Sequence, residues 1–313
     1  MRIPLELPRS GSRRFDAVGL GLNTTDIQAV VDGHPEPGDK GPILELVTRP
    51  GGQAATAMTA CSRLGWAARY VGRFGDDPNG LTGCQILRES GVDIEACETI
   101  PGATNALSLV LVDALTGQRT VLWSRHPSLT MTPETIPTEA VCSGRVLLVD
   151  CHDTAAATVA ARSARSVGIP TVVDVEKVQP GIELLLQEID MIITAQDFPG
   201  QLTGTGDLGV ALRAMKEAFR ATLVCATLGK EGSLAVTDDG EIRTPGFTVS
   251  AVDTTGAGDV FRGGFISGWL LGDRAAQMED VLRYANAAAA LNCQALGARA
   301  GIPTREEVAQ LLM

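Results

Sequence analysis

Short apolar runs alternate with longer segments of helical periodicity through most of this chain. Residues 145–150, 170–174, 191–194 and 222–227 read as strands, with amphipathic helices at 154–167 and 207–219. That rhythm marks a parallel sheet with crossover helices, so it predicts an α/β fold, a three-layer, doubly wound, mostly parallel sheet. A Gly-Lys-Glu-Gly turn at 229–232 leads into a further strand at 233–236. Two stretches break the rhythm: 43–48 is a lone strand pattern, and 107–113 with 119–124 is a hairpin around 114–118. Near 36–50 and 105–125 these segments are expected to form a small β-strand lid on a single domain spanning 1–313. Polar connections such as 32–38 join lid and sheet, and no long Ser/Gly linker or internal repeat divides the chain.

Composition narrows the classes. A hydrophobic content of 44% over 313 residues is that of a folded globular chain. A net charge of -11 gives no general attraction to nucleic acid or to an anionic membrane. The seven cysteines form no Cys-x-x-Cys pair, and several sit in apolar runs, which reads as buried thiols in a reducing cytoplasm. No apolar run reaches the roughly 18 residues of a membrane span, and the Arg-bearing first fourteen residues do not resemble a signal peptide. His34, His126 and His152 lack metal-ligand spacing, so any metal is expected to be a hard cation held by carboxylates and phosphates.

The candidate chemistry lies at 253–259, Asp-Thr-Thr-Gly-Ala-Gly-Asp, which runs into a helical pattern at 260–266. Small residues let the first-turn amides of a helix approach a ligand closely. Those amides and the helix dipole favour a phosphate or a developing negative charge. Asp259 at the lip of this cradle reads as a base that takes a proton from a hydroxyl as a phosphoryl group arrives. The same residues also suit an ordinary capped helix in which the acid serves only the dipole. Two other nucleotide motifs are set aside. Gly19-Leu20-Gly21-Leu22-Asn23 is followed by Thr24 where a dinucleotide fingerprint needs a small residue, and Val224 stands where a phosphate loop ending at Gly229-Lys230 needs glycine.

Arg262 falls on the same helical face as Asp259. It is a candidate for reading an anionic group of the substrate or the γ-phosphate, the alternative being a surface ion pair. Asp150-Cys151-His152-Asp153 cannot align a nucleophile and base, because successive side chains alternate faces. His152, after a strand's C-terminal end, is a candidate for lining a substrate pocket. Arg125 and His126 are candidate substrate contacts at the end of the hairpin, or solvated charges. Phe261 and Trp269 read as packing residues.

Residues 253–266, together with Gly51-Gly52-Gln53-Ala54-Ala55-Thr56-Ala57-Met58 and the following Gly65 and Gly75, resemble the two signatures of the ribokinase-like (phosphofructokinase B type) carbohydrate kinase family. The likeness runs from about Val18 to Thr304. Residues 19–22 with Asp26, 119–122 and 174–177 are most similar to the ketohexokinase branch. The resemblance implies an ATP-dependent kinase acting on a hydroxyl of a small sugar, ketohexose-like in the first instance. It implies Asp259 as base and the Gly256, Ala257 and Gly258 amides as anion hole. Asp26, Gly52, Gln53 and Thr56 would line the sugar site, and Thr227, Gly229, Gly232 and Asn286 the nucleotide site. It further implies magnesium, organised through water by Glu176 or Asp197, a monovalent cation such as potassium near Asp253, Thr255 and Gly297, and a homodimer formed through the lid. Gln53 and Thr56 replace amides usual in the family, and Ala195-Gln196-Asp197-Phe198 replaces its Asn-x-x-Glu pattern. The sugar therefore stays open: a sugar phosphate, a sulfosugar or a nucleoside is the alternative substrate, and a non-catalytic sugar-binding protein the alternative class.

Overall fold

Side-chain alternation along fully buried strands sets the layering of this molecule, a computed structural model describing residues 1–116 and 119–313. In Val146–Asp150, Val146 and Leu148 join one apolar cluster while Leu147 and Val149 join another. Strand neighbours point to opposite faces, so a strand apolar at every position must be covered on both. The helices Gln53–Arg63, Ala257–Gly272 and Met278–Asn292 cover one face, and Thr154–Ser166 and Leu208–Phe219 the other. This is the expected three-layer α/β arrangement.

In chain order the strands are β1 Ala17–Leu20, β2 Thr24–Val31, β3 Ile43–Gly51, β4 Ala68–Val71, β5 Arg73–Gly75, β6 Glu98–Ile100 and β7 Leu107–Asp113. They continue with β8 Arg119–Ser124, β9 Val146–Asp150, β10 Thr171–Val175, β11 Met191–Ala195, β12 Leu223–Thr227, β13 Ser233–Thr237 and β14 Gly240–Thr244. The main sheet has eight strands in the order β14-β13-β12-β11-β10-β9-β1-β4. It is parallel from β12 to β4, while β13 and β14 add antiparallel strands at one edge. From β1 the chain steps one way to β4 and later the other way to β9, so the order reverses at β1. Ligands of open α/β sheets bind at such a reversal, beyond the carboxyl ends of the strands.

A second sheet, β3-β2-β7-β8, stands apart from the first. The 43–48 segment is not a lone strand. It extends to Gly51 and pairs antiparallel with β2, which pairs parallel with β7. Strand β2 was hidden because it follows β1 after only a few residues and half of it is polar, Thr24, Thr25, Asp26 and Gln28. Strands β7 and β8 pair as the expected hairpin, and Gly117 and Gln118 at its tip lie outside the described residues. Both edge strands expose apolar side chains: Ile43, Leu44 and Leu46 on β3, and Val121, Leu122 and Trp123 on β8. Among the described residues no helix is long and apolar enough to cross a membrane.

Candidate active site

The helix Ala257–Gly272 is aimed by close backbone packing. A Cβ on Gly263 would meet Ala60 Cβ at 2.6 Å, and one on Gly264 would meet Ala288 Cβ at 3.0 Å, so glycine lets two neighbouring helices seat directly on this one. At its start Gly256 adopts φ +73°, and a Cβ there would meet Ala298 O at 2.5 Å. Only glycine fits both the left-handed turn and the close approach. Upstream, Asp253 Oδ1 accepts from the Thr255 N–H (2.9 Å) and hydroxyl (2.8 Å), and Oδ2 accepts from the Gly297 N–H (2.8 Å). The three residues assigned to a monovalent-cation site thus come together by joining the loop before this helix to the loop after Met278–Asn292.

Asp259 lies in the first turn of the helix and is partly exposed. Burial pushes its carboxyl well above the ordinary range, the neighbouring Asp174 and Glu176 push it further, and Arg262 and Arg299 oppose them. A carboxylate held this way has an enhanced appetite for a proton, as a base near neutrality requires. The base works only when ionised, so kcat/KM should fall as pH falls through an apparent pKa clearly above the ~3.9 of a free aspartate. A pH profile flat down to about pH 4.5 would remove this account of Asp259.

Arg262 corrects the sequence expectation. It is neither a surface ion pair nor open to a substrate: its side chain is 4% exposed, and Nη2 lies 3.0 Å from Asp174 Oδ1 and donates to Ile193 O at 3.3 Å. A Cβ on Gly258 would meet its Nη1 at 2.6 Å, so the guanidinium sits directly beneath the amide cradle. Its partner Asp174, also buried, is pushed up to about 7 by burial against the pull of Arg262. Helical periodicity showed that Arg262 and Asp259 share a face. That the face turns onto the carboxyl end of β10 is tertiary information.

At the other side of the cradle, Gly52 takes φ +93° against Asn23 and Leu22, ahead of the helix Gln53–Arg63. Asp26 on β2 accepts from the Thr24 hydroxyl at 2.8 Å, and burial raises its carboxyl. Thr56 is fully buried and its Oγ1 is engaged, accepting from Arg299 Nε at 3.0 Å. It is therefore a support for Arg299 and not an open sugar contact. Gln53 lies in the first turn of its helix with Oε1 buried and unpartnered. His152 follows β9, its N–H donating to Asp150 Oδ1 at 3.1 Å, while Asp150 Oδ2 accepts from the Leu22 N–H at 2.6 Å. Arg125 is held by both Asp153 oxygens at 2.7 Å, and His126 Nδ1 caps a short turn. Arg299 was missed by sequence reasoning: a single arginine among small residues carries no periodic or motif signal.

On the nucleotide side a cavity of about 620 Å³ is lined by Thr227, Gly229, Gly232, Ala257, Gly258 and Asn286, so separate segments of the chain meet there. Asn286 Nδ2 is committed to Ser233 Oγ at 3.1 Å and Thr244 O at 3.3 Å, which makes it a wall and brace of the cavity. Phe261, expected to be purely a packing residue, is buried and also borders the cavity. Among the described residues no cluster of His, Cys, Asp or Glu could by itself hold a metal ion. Glu176 is nevertheless partly exposed at the end of β10, beside buried Asp174 and close enough to act on Asp259. That hard-oxygen set fits magnesium only as an ion completed by phosphate oxygens and water.

Comparison with known proteins agrees with this geometry. Residues 15–305 match the pfkB family carbohydrate kinase, and the chain belongs to that family. It is 32% identical over 292 residues to an ATP-dependent ribose-1-phosphate kinase of Halopiger xanaduensis, covering 92% of this chain and 94% of that one. It is 30% identical over 286 residues to fructokinase-2 of Oryza sativa subsp. japonica, covering 83% of each. The structure of Arabidopsis thaliana ribokinase complexed with ribose and ATP superposes with a TM-score of 0.83 at 24% identity, covering 95% of this chain and 98% of that one, a likeness of fold. The protein is an ATP-dependent carbohydrate kinase.

Proposed function

We propose that this kinase phosphorylates a hydroxyl of a small neutral sugar of the ketohexose kind, with Asp259 as the base. The observation that carries the reading is the carboxylate at the first turn of the helix Ala257–Gly272, next to Gly258 in the wall of the 620 Å³ cavity and within electrostatic reach of Arg299, on which Asp26 also acts. In this reading the nucleotide occupies the cavity with its terminal phosphate against the Gly256, Ala257 and Gly258 amides. The sugar hydroxyl lies between that phosphate and Asp259. Asp259 takes the hydroxyl proton as the new O–P bond forms and the bond from the terminal phosphorus to its bridging oxygen breaks, ADP leaving with that oxygen, and the fixed amides stabilise the charge that gathers on the phosphoryl oxygens. Magnesium, when bound, supplies charge neutralisation on the phosphates, with Glu176 reaching it through water.

The sheet β3-β2-β7-β8 carries Asp26, which suits a lid that closes on the sugar and excludes water. Its exposed edge strands suit pairing with a second copy, since long apolar edges are rarely left uncovered. Residence in the cytoplasm accords with seven free cysteines, most of them buried. A sugar phosphate is the second reading, favoured by the Halopiger relative. One experiment separates these: ADP release across fructose, ribose, ribose 1-phosphate, a sulfosugar and nucleosides, in potassium and in choline salts, with the enzyme sized by sedimentation. We expect the highest kcat/KM on a neutral ketohexose, activation by potassium, and a dimer. Turnover confined to phosphorylated or sulfonated sugars would overturn the substrate assignment.

A further inference from the structure

Between the two ends of the site lies a guanidinium that the reaction as described leaves unused. Arg299 belongs to the loop that closes over Gly256, since Ala298 O lies against that glycine. Its side chain runs from there to the sugar corner, where Nε donates to Thr56 Oγ1 at 3.0 Å and Nη2 donates to Gly51 O. Gly51 abuts the Asp26 carboxylate, so the second anchor brings the guanidinium within electrostatic reach of Asp26. The Asp26 and Asp259 charges both act on it and favour its ionised form, against burial, which pulls it down to about 10. Two of its three nitrogens are thus fixed. The third, Nη1, is shut away from solvent and has no partner among the described residues.

A buried, charged donor without an acceptor is costly to leave unmade. Arg299 has five N–H groups in a rigid fork, so anchoring Nε and Nη2 also fixes the direction of Nη1. Asp26, when ionised, can only accept. A sugar hydroxyl both donates and accepts, and a carboxylate beside a guanidinium can satisfy it both ways.

We propose that Arg299 is a specificity-determining substrate-binding residue, its Nη1 donating to the oxygen of a sugar hydroxyl whose proton is taken up in a hydrogen bond to Asp26. The inference rests on the function proposed above and deepens it. The group recognised is a neutral hydroxyl: two carboxylates already flank this one cation, so a phosphate or sulfonate placed here would meet more negative than positive charge.

The test compares Arg299→Gln and Arg299→Lys with the wild type on its best neutral sugar and on ribose 1-phosphate, with ATP varied separately and melting temperatures recorded. Arg299→Gln is expected to raise the neutral-sugar KM roughly 10- to 100-fold, as loss of a charged hydrogen bond implies, while the ATP KM changes less than about twofold. Arg299→Lys keeps the charge but not the fork, and should recover only part of the loss. Should the Gln variant not fold, the Lys variant decides alone, since a native sugar KM there removes the need for the fork. An unchanged sugar KM in folded Arg299→Gln, or a loss confined to the phosphorylated sugar, overturns the assignment of Arg299. A wild type that turns over no neutral sugar instead overturns the proposed function itself.

Discussion

Replacing Asp259 with Asn is expected to lower kcat by at least about 100-fold while nucleotide affinity stays nearly unchanged. The amide is close in shape to the carboxylate, so the cradle formed by Gly256, Ala257 and Gly258 and the packed helix behind it keep their places in the variant. What the variant loses is the capacity to accept a proton at the moment the hydroxyl attacks. Positioning and the anion hole remain, so residual turnover above the uncatalysed rate is expected. ADP release gives kcat, and calorimetric titration with a non-hydrolysable nucleotide gives affinity. Turnover within about tenfold of the wild type would remove Asp259 from the role of base.

The second large effect is on stability. Arg262→Met strands Asp174 in the interior and is expected to cost about 3–5 kcal/mol, the usual result of removing one partner of a buried pair. The cost should depend on pH in a definite direction. Asp174 already has a raised carboxyl, about 7, and a group raised on folding contributes stability at low pH that is lost as pH rises through that value. Without Arg262 the carboxyl rises further, so the deficit of the variant should be larger at about pH 8.5 than at about pH 6. Adding Asp174→Leu should recover much of the loss, because the unpaired charge disappears with its carboxyl. Urea unfolding of the single and double variants at both pH values tests this. A deficit independent of pH, or a double variant no more stable than Arg262→Met, would show that the pair is not what holds this region together.

The run from β9 to β13 was legible because those strands are buried on both faces and the helices between them are amphipathic, so local pattern and tertiary position agree, whereas β1 and β4 are only four residues long and β14 is largely exposed, and these three were not read. The second sheet was only half legible. Strand β2 alternates polar and apolar only over Asp26-Ile27-Gln28-Ala29, with Thr24 and Thr25 before and Val30 and Val31 after, too short a stretch to mark a strand. The cradle at 253–259 could be read directly, since the glycines that make a tight turn and a close approach are themselves the signal. Arg262, Asp174 and Arg299 could not. Each acts through partners far away in sequence, Ile193 and Asp174 for Arg262, and Gly51 and Thr56 for Arg299. Nothing local distinguishes a charge that will be buried against such partners from one that will be solvated.

Arg125 ties the small sheet to the main layer. It stands just beyond β8 and is gripped by both oxygens of Asp153, which opens the helix Thr154–Ser166. A two-point grip resists twisting as well as separation. The opposite edge is held as well, where Gly51 O at the end of β3 accepts from Arg299 Nη2, so displacing the small sheet as one body would break contacts at both of its edges.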